Sequence, residues 1–294
     1  MLLRKILVII NKKAGTDREK SIQGVIEKHL PKDRFSVEIT YLQYLGHGAD
    51  LARDAVKANV DTVVAVGGDG SINEIAQGLV GSNTALAIIP LGSGNGLARA
   101  LKIPLNTAAA FQIIVDNKRQ RMDVGYANEH LFLSNAGVGF DAVIADKFQH
   151  SKKRGLINYA RLVISSFKNY VADQYNITSD KQQSKREAFL LTVANGNQFG
   201  YEFKLAPDAS VFDGKLDVCV VPPINFWGLL PLSIHSLRGT INKSKYMQHF
   251  TGEQIHVKGQ QLNCLQVDGD AAVLSTPGEV AFKIVPAAID VIIP

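Results

Sequence analysis

Cysteine is scarce, with only Cys219 and Cys264 in 294 residues. Two cysteines cannot make a disulfide framework, and both lie in apolar, strand-like surroundings. Buried free thiols in a reducing compartment are therefore expected. No stretch reaches the roughly 18 uninterrupted apolar residues of a membrane-crossing helix. The apolar run at residues 6–10 is shorter than a secretory h-region and meets Asn11-Lys12-Lys13 without a small-residue cleavage site, so no leader peptide is expected. The seven histidines show neither H-x3-H nor H-E-x-x-H spacing, which removes the zinc signatures. G-x-S-x-G is missing, and with it the nucleophile elbow of serine hydrolases. Neither sign of charge dominates: 32 Lys+Arg against 27 Asp+Glu leaves a net charge of +5. That balance suits an anionic ligand or an anionic membrane surface. No basic stripe is interleaved with aromatics, so no nucleic-acid partner is expected.

What is present is core-forming material, 46% hydrophobic against 20% charged, over a length that suits two domains. Residues 1–124 alternate buried-strand runs (6–10, 35–41, 62–66, 85–89) with helical patterns (18–30, 49–59, 71–79), which predicts a parallel α/β domain. Ser71 is placed to cap the third helix. From residue 125 the texture changes to short strands at 130–134, 189–194, 216–221, 254–258, 261–267 and 280–285. Helical insertions interrupt them at 156–171 and 226–237. This predicts a mainly antiparallel β-sandwich over residues 125–285.

Three strand–loop–helix junctions carry small or glycine-rich loops: Asn11-Lys12-Lys13-Ala14-Gly15, Gly67-Gly68-Asp69-Gly70-Ser71 and Gly92-Ser93-Gly94-Asn95-Gly96. In a parallel sheet such loops share the carboxyl edge, where ligands bind. Glycine lets backbone approach a phosphate, and the following helix offers N–H groups and a positive dipole end. Neither the Walker A pattern nor the dinucleotide fingerprint spacing is matched. Tight αβ packing explains one such turn; two rich loops 25 residues apart favour a nucleotide or phosphate site. Asp69 reads either as part of a Mg²⁺–phosphate network or as a turn aspartate bonded to backbone N–H groups. Val267-Asp268-Gly269-Asp270 pairs two carboxylates, as a general base or Mg²⁺ ligand would require, and also matches a hairpin turn. Phe212-Asp213-Gly214-Lys215 admits the same turn reading.

Taken together, these segments resemble the bacterial diacylglycerol/lipid kinase family, which shares its catalytic domain with sphingosine and ceramide kinases. The resemblance covers essentially the whole chain. It rests on Gly67-Gly68-Asp69-Gly70-Ser71-Ile72-Asn73-Glu74, Pro90-Leu91-Gly92-Ser93-Gly94-Asn95 and Asn135-Ala136-Gly137-Val138-Gly139-Phe140-Asp141. It continues through Asn195-Gly196-Asn197, Ala206-Pro207-Asp208-Ala209, Phe212-Asp213-Gly214-Lys215-Leu216-Asp217 and Asp268-Gly269-Asp270. The resemblance implies ATP-dependent transfer of the γ-phosphoryl group to a lipid hydroxyl such as that of diacylglycerol. It implies an NAD-kinase-like nucleotide-binding domain, rejoined by residues 286–294, facing a β-sandwich lipid-binding domain across a cleft. Asn11, Lys12, Lys13, Ala14, Gly15, residues 67–73 and Gly92, Ser93, Gly94 and Asn95 would hold ATP. Asp69 would serve the Mg²⁺–phosphate network, Asp268 or Asp270 would activate the hydroxyl, and Ser210, Asp213 and the Lys215 carbonyl would hold a structural Mg²⁺. The partner is a lipid at the membrane surface, with a cytoplasmic protein peripheral to the inner membrane; a homodimer is a further expectation.

The chain departs from the family pattern at three places. Asp270 stands where the family usually has Glu. Gly94-Asn95-Gly96-Leu97-Ala98-Arg99 replaces the common Gly-Asn-Asp-Phe-Ala-Arg and is closer to sphingoid and ceramide kinases. Leu42 stands where a Thr usually precedes Gly46-His47. Other readings are a sphingoid-base or other lipid kinase, a nucleotide-binding protein that has lost turnover, and an NAD-kinase-type enzyme, against which the second-domain motifs argue. Lys147, Lys152, Lys153 and Arg154 precede an apolar helical segment, either a lipid-docking edge or a core helix with a solvated approach. Phe226-Trp227-Gly228-Leu229-Leu230 could line a lipid channel or cap the sandwich.

Overall fold

The computed structural model describes residues 3–12, 19–151, 155–180, 182–199 and 202–294. The chain divides into two compact units, residues 1–122 with 287–294, and residues 123–286.

The first unit contains β1 (Arg4–Ile10), α1 (Glu19–His29), β2 (Phe35–Tyr41), α2 (His47–Lys57), β3 (Thr62–Gly67), α3 (Asp69–Gln77), β4 (Ala85–Pro90), α4 (Gly96–Ala100) and α5 (Thr107–Asp116). Its strands are parallel in the order β2-β1-β3-β4, with Ile6 opposite Thr62 and Thr62 opposite Ala85. Every residue of β3 and β4 is buried. Helices on both faces of a parallel sheet remove the wet side, so these strands read as unbroken apolar runs instead of alternating. Helix α2 begins at His47, two residues before the expected start, because Gly46 turns the chain at φ 93° and the Glu74 carboxylate accepts from Gly48 N at 2.6 Å. Ser71 is not the cap expected of it: Gly68 holds the N-cap position of α3 and makes no side-chain bond there.

The second unit takes in β5 (Arg119–Ala127, which starts in the first unit), β6 (His130–Phe132), β7 (Asn135–Gly139), α6 (Phe140–Gln149), α7 (Leu156–Phe167), β8 (Asp173–Ser179), β9 (Gln183–Ala188), β10 (Leu190–Ala194), β11 (Leu216–Val221), α8 (Leu229–Leu237), β12 (Gln248–Gly252), β13 (Gln254–Gly259), β14 (Cys264–Val267), β15 (Asp270–Val273) and β16 (Glu279–Ile292). One sheet is antiparallel throughout, in the order β12-β11-β10-β7-β14-β15. Across its inner face β13 pairs with β8 and with residues 279–283 of β16, and β9 flanks β8. Phe132, Val138, Ile177, Leu191, Val218, Val257 and Phe282 fill the space between the sheets. The other face of the first sheet is covered as well: Phe140, Ile144, Phe189, Cys219, Val221 and Leu232 form a second core beneath α6, α7 and α8. Hence β10 and β11 are buried along their whole length, an antiparallel case without alternation.

Helix α6 follows a glycine-containing motif that predicts no helix, and several expected strands differ in extent, the run at 130–134 ending at Phe132 as β6. Strand β14 begins at Cys264, and β16 runs for 14 residues. The end of β16 returns to the first unit, where Val291 pairs in parallel with Leu86 and Gly81 N donates to Ala288 O at 2.8 Å. Both cysteines are free thiols. Cys219 is buried as expected. Cys264 is instead part-exposed, because Leu265 takes the core side of β14 and Cys264 faces a cavity of about 310 Å³ lined by Gly139, Val143, Tyr170 and Tyr175. Among the described residues no helix is long and apolar enough to cross a membrane.

One glycine shows how closely the layers of the first unit fit. A Cβ on Gly78 would lie 2.5 Å from Ala49 O and 2.6 Å from Ala52 Cβ, backbone and stem atoms that cannot swing aside. Its φ of −78° is ordinary, so helix propensity alone favours alanine there by about 1 kcal/mol. The clash outweighs that gain. Gly78→Ala is expected to destabilise the protein by about 1–3 kcal/mol in urea unfolding; equal or greater stability would show that α2 and α3 can separate without penalty.

Candidate active site

The chain runs from β1 outward to β2, then crosses back to place β3 on the other side of β1. The loops after β1 and β3 therefore diverge, and in an open α/β sheet such a switch point is where a ligand crevice forms at the carboxyl edge. Asn11 follows β1, and its Nδ2 donates to Ser71 Oγ at 2.7 Å, tying the two loops across the switch point. Lys12 is exposed, with Nζ 4.4 Å from the Tyr41 ring centroid. Lys13, Ala14 and Gly15 lie outside the described residues.

The loops after β3 and β4 touch backbone to backbone. A Cβ on Gly92 would lie 2.6 Å from Gly68 Cα, and one on Gly67 would lie 2.9 Å from Ser71 Cβ. Leu91 N donates to Gly67 O at 2.8 Å. Asn95, in the left-handed region at φ 51°, clips the second loop shut: its Oδ1 accepts from Gly92 N and its Nδ2 donates to Gly92 O, both at 2.9 Å. Asp69 lies in the first turn of α3, and its Oδ1 accepts from Leu97 N at 3.3 Å. One oxygen of Asp69 thus serves a backbone N–H of α4.

The site residues differ in what they present. Gly70 and Ser93 are exposed, whereas Ser71, Ile72 and Asn73 are buried. Ile72 is a core side chain, so only its backbone is available to a ligand. Asn73 Oδ1 accepts from Gln77 Nε2 at 2.9 Å. The first N–H groups of a helix lack intrahelical partners, and in α3 these belong to Asp69, Gly70 and Ser71. Backbone donors, a helix N-terminus and hydroxyls at one sheet edge can hold a polyphosphate. His47 is occupied locally: its Nδ1 accepts from Gln43 N at 3.2 Å and its ring stacks on Tyr44 at 4.5 Å.

In the second unit Asp268 and Gly269 form the two-residue turn of the β14–β15 hairpin, with φ 49° and 92°. Positive φ at both positions is what a type I′ turn demands. The Asp268 carboxylate accepts from three backbone N–H groups: Leu133 at 2.9 Å, Ser134 at 2.8 Å and Asn135 at 3.1 Å. It thereby fastens the turn to the β6–β7 junction. Asp270, by contrast, is exposed at the start of β15.

Residues 5–127 match the diacylglycerol kinase catalytic domain family, and residues 134–293 match the YegS C-terminal NAD kinase beta sandwich-like domain. A Pseudomonas aeruginosa protein named "Probable lipid kinase YegS-like" is 32% identical over 221 residues, 74% of this chain and 72% of its own. The chain belongs to the bacterial diacylglycerol/lipid kinase family. Its activity is that of an ATP-dependent lipid kinase. A diacylglycerol kinase of Bacillus subtilis is 24% identical over 282 residues, 94% of this chain and 93% of its own. A solved structure of a diacylglycerol kinase from Bacillus anthracis matches 100% of this chain and 98% of that chain with a TM-score of 0.79; at 23% identity this shows the common fold.

The loop at Ser210, Asp213 and Lys215 is internally bonded. Phe212 N donates to Ser210 Oγ at 3.3 Å, Lys215 N to Asp213 Oδ1 at 3.1 Å and Gly214 N to Asp123 Oδ2 at 2.7 Å. Asp213, although exposed, has its carboxyl pushed above the ordinary range, first by partial desolvation and then by the charges of Asp217 and Asp123, against the pull of Lys215. Hydroxyl, carboxylate and carbonyl oxygens are the hard donors Mg²⁺ prefers, so the donor set fits in kind. No cluster of three or more His, Cys, Asp or Glu capable of holding a metal occurs among the described residues.

A buried polar network behind the hairpin was not foreseen as such. Gln266 Oε1 accepts from Gly269 N at 2.9 Å, and its Nε2 donates to Asn135 Oδ1 at 2.6 Å. The Gln266 side chain also bonds to Asp141, which accepts from Ala142 N at 2.9 Å and Thr192 Oγ1 at 3.2 Å. Gly137 makes the room, since a Cβ there would lie 2.5 Å from Asp141 Oδ2. The Asn135 to Asp141 motif carried the signal, but only the fold shows that its ends meet. Burial pushes the Asp141 carboxyl up to about 7, against the lowering effect of its hydrogen bonds. The folded state thus takes up this proton before the unfolded one as pH falls. The resulting stability is complete below about pH 4 and lost as pH rises through about 7, with a slope of at most about 1.4 kcal/mol per unit. In denaturant titrations across this window Asp141→Asn is expected to flatten the decline; an unchanged slope would assign the decline to other groups.

Proposed function

We propose that this lipid kinase phosphorylates the hydroxyl of diacylglycerol, with the nucleotide held by the first unit and the base supplied by Asp270. Asn11, Lys12, the backbone of residues 67–73, and Gly92, Ser93, Gly94 and Asn95 bind the ATP phosphates; Lys13, Ala14 and Gly15 are assigned with them by family resemblance. Mg²⁺ bound with the nucleotide would neutralise phosphate charge, and Asp69 would belong to that network. Ser210, Asp213 and the Lys215 carbonyl would hold a second, structural Mg²⁺.

The observation that carries the choice of base is the contrast within the hairpin. Three backbone N–H groups occupy most of the lone pairs of Asp268, which suits a residue that positions its neighbour. Asp270 is exposed one residue beyond the turn, where a carboxylate can accept a hydroxyl proton as the γ-phosphoryl group moves in line to the oxygen. The acceptor sits in a bilayer, so the enzyme works as a peripheral protein at an anionic membrane surface, consistent with its net charge of +5.

The test uses γ-labelled ATP, Mg²⁺ and diacylglycerol in mixed micelles, followed by separation of the lipids. Labelled phosphatidic acid is expected. Asp270→Ala should lower kcat by about 10²–10⁴-fold with ATP affinity preserved, and Asp270→Glu should retain most of the turnover. Unchanged turnover in the alanine variant would remove Asp270 as base, and unlabelled diacylglycerol beside another labelled lipid would reassign the acceptor.

A further inference from the structure

Helices α7 and α8 each bury one face in the second core, through Leu162, Val163 and Phe167 on α7 and Leu232 on α8. Each also carries an apolar stripe on the opposite, solvent side. On α7, Ile157 and Ile164 are 89% and 55% exposed, seven residues apart on one face with Arg161 between them. On α8, Leu230, Ile234 and Leu237 repeat at the helical spacing and are exposed, preceded by Trp227 at 81%. Phe167 of α7 meets the segment leading into α8, where its ring and that of Phe226 pack edge to face at 5.9 Å. Single exposed hydrophobics need no explanation, whereas two stripes of them on neighbouring helices do.

Charge identifies the occupant. Residues 147–172 contain six Lys or Arg and no Asp or Glu, and residues 218–252 contain three Lys or Arg and again no acid. Arg161, Lys168 and Arg238 are exposed at the margins of the stripes. A second copy of the chain would offer only the same cationic apolar face, so self-association here would set like charges together. Apolar side chains, a tryptophan and flanking cations without acids are complementary to the headgroup region of an anionic bilayer, in which an amphipathic helix lies with its apolar face sunk about 5–10 Å.

We propose that the outward faces of α7 and α8, with Trp227, form the surface by which this protein docks on anionic membranes. The inference rests on the reading of the enzyme as one that takes its acceptor from a bilayer. It adds where the chain enters that bilayer: Trp227, Leu230 and Ile157 insert among the acyl-chain ends nearest the headgroups, and Arg161, Lys168 and Arg238 meet lipid phosphates.

The experiment is co-sedimentation of the full chain with vesicles of phosphatidylcholine, with or without phosphatidylglycerol, for wild type, Trp227→Ser/Leu230→Ser, Ile157→Ser/Ile164→Ser and Arg161→Glu/Arg238→Glu. Wild type is expected to bind the anionic vesicles and to be weakened by salt. Each serine pair should weaken binding by about tenfold or more, from the lost apolar burial, and the charge reversal should abolish the preference for phosphatidylglycerol. Turnover on a short-chain, monomerically dissolved diacylglycerol should be unchanged in all three. Serine variants that sediment like wild type, or that change only the oligomeric state in ultracentrifugation, would overturn the proposal. Failure of wild type to phosphorylate the dissolved diacylglycerol would overturn the acceptor assignment instead, a result independent of the sedimentation readout.

Discussion

At the carboxyl edge of the parallel sheet, the backbones of Gly68 and Gly92 pass so close that a Cβ on Gly92 would lie 2.6 Å from Gly68 Cα, and one on Gly68 would lie 3.2 Å from Gly92 Cα. Parallel pairing brings the strands there in register, with Gly67 opposite Pro90, and the Leu91 N to Gly67 O bond extends the pairing past the last pair. The Asn95 clip and the bond from Leu97 N to Asp69 then fix where α3 and α4 begin. Two helix starts, two loops and one carboxylate are set by a single close approach. Groups fixed in this way by the chain's own bonds cost less to order when a ligand binds.

The second unit solves a similar problem with side chains. A type I′ hairpin needs only Asp-Gly to turn, yet here the turn is also bonded from behind. The Asp268 carboxylate holds three amides of the β6–β7 junction, while Gln266 links Gly269 to Asn135 and Asp141. Buried polar groups must be paired, and a network in which most members are satisfied holds one geometry. The cost is the burial of Asp141 at a pKa of about 7, offset in part by its hydrogen bonds.

Much of this was legible in the residues. The apolar runs of β3 and β4 and the glycine-rich turns that follow them are local signals, and each run corresponds to a described strand. Cover on the second sheet was less legible, because β10 and β11 are buried on both faces and so lack the period-two alternation that marks a half-buried strand. Ser71 resembled a cap by type, but Gly68 begins the helix and the hydroxyl bonds instead to Asn11, 60 residues earlier. The distinction between Asp268 and Asp270 was likewise hidden. Two neighbouring aspartates read alike in sequence, and only the tertiary approach of residues 133–135 separates a carboxylate that holds three backbone amides from that of an exposed residue. For α7 and α8 the apolar content was evident, but the stripe on the solvent side emerges only once the buried side is known.

In the nucleotide site proposed above, contact between the Gly68 and Gly92 backbones sets the shape of the two loops. Titration calorimetry of Mg·ATP binding to Gly92→Ala, alongside its thermal unfolding, tests this most directly. A folded protein is expected, with a cooperative transition and native circular dichroism, whose ATP affinity falls by at least about tenfold because the added Cβ forces the two loops apart. A folded Gly92→Ala protein that binds ATP as tightly as wild type would contradict it.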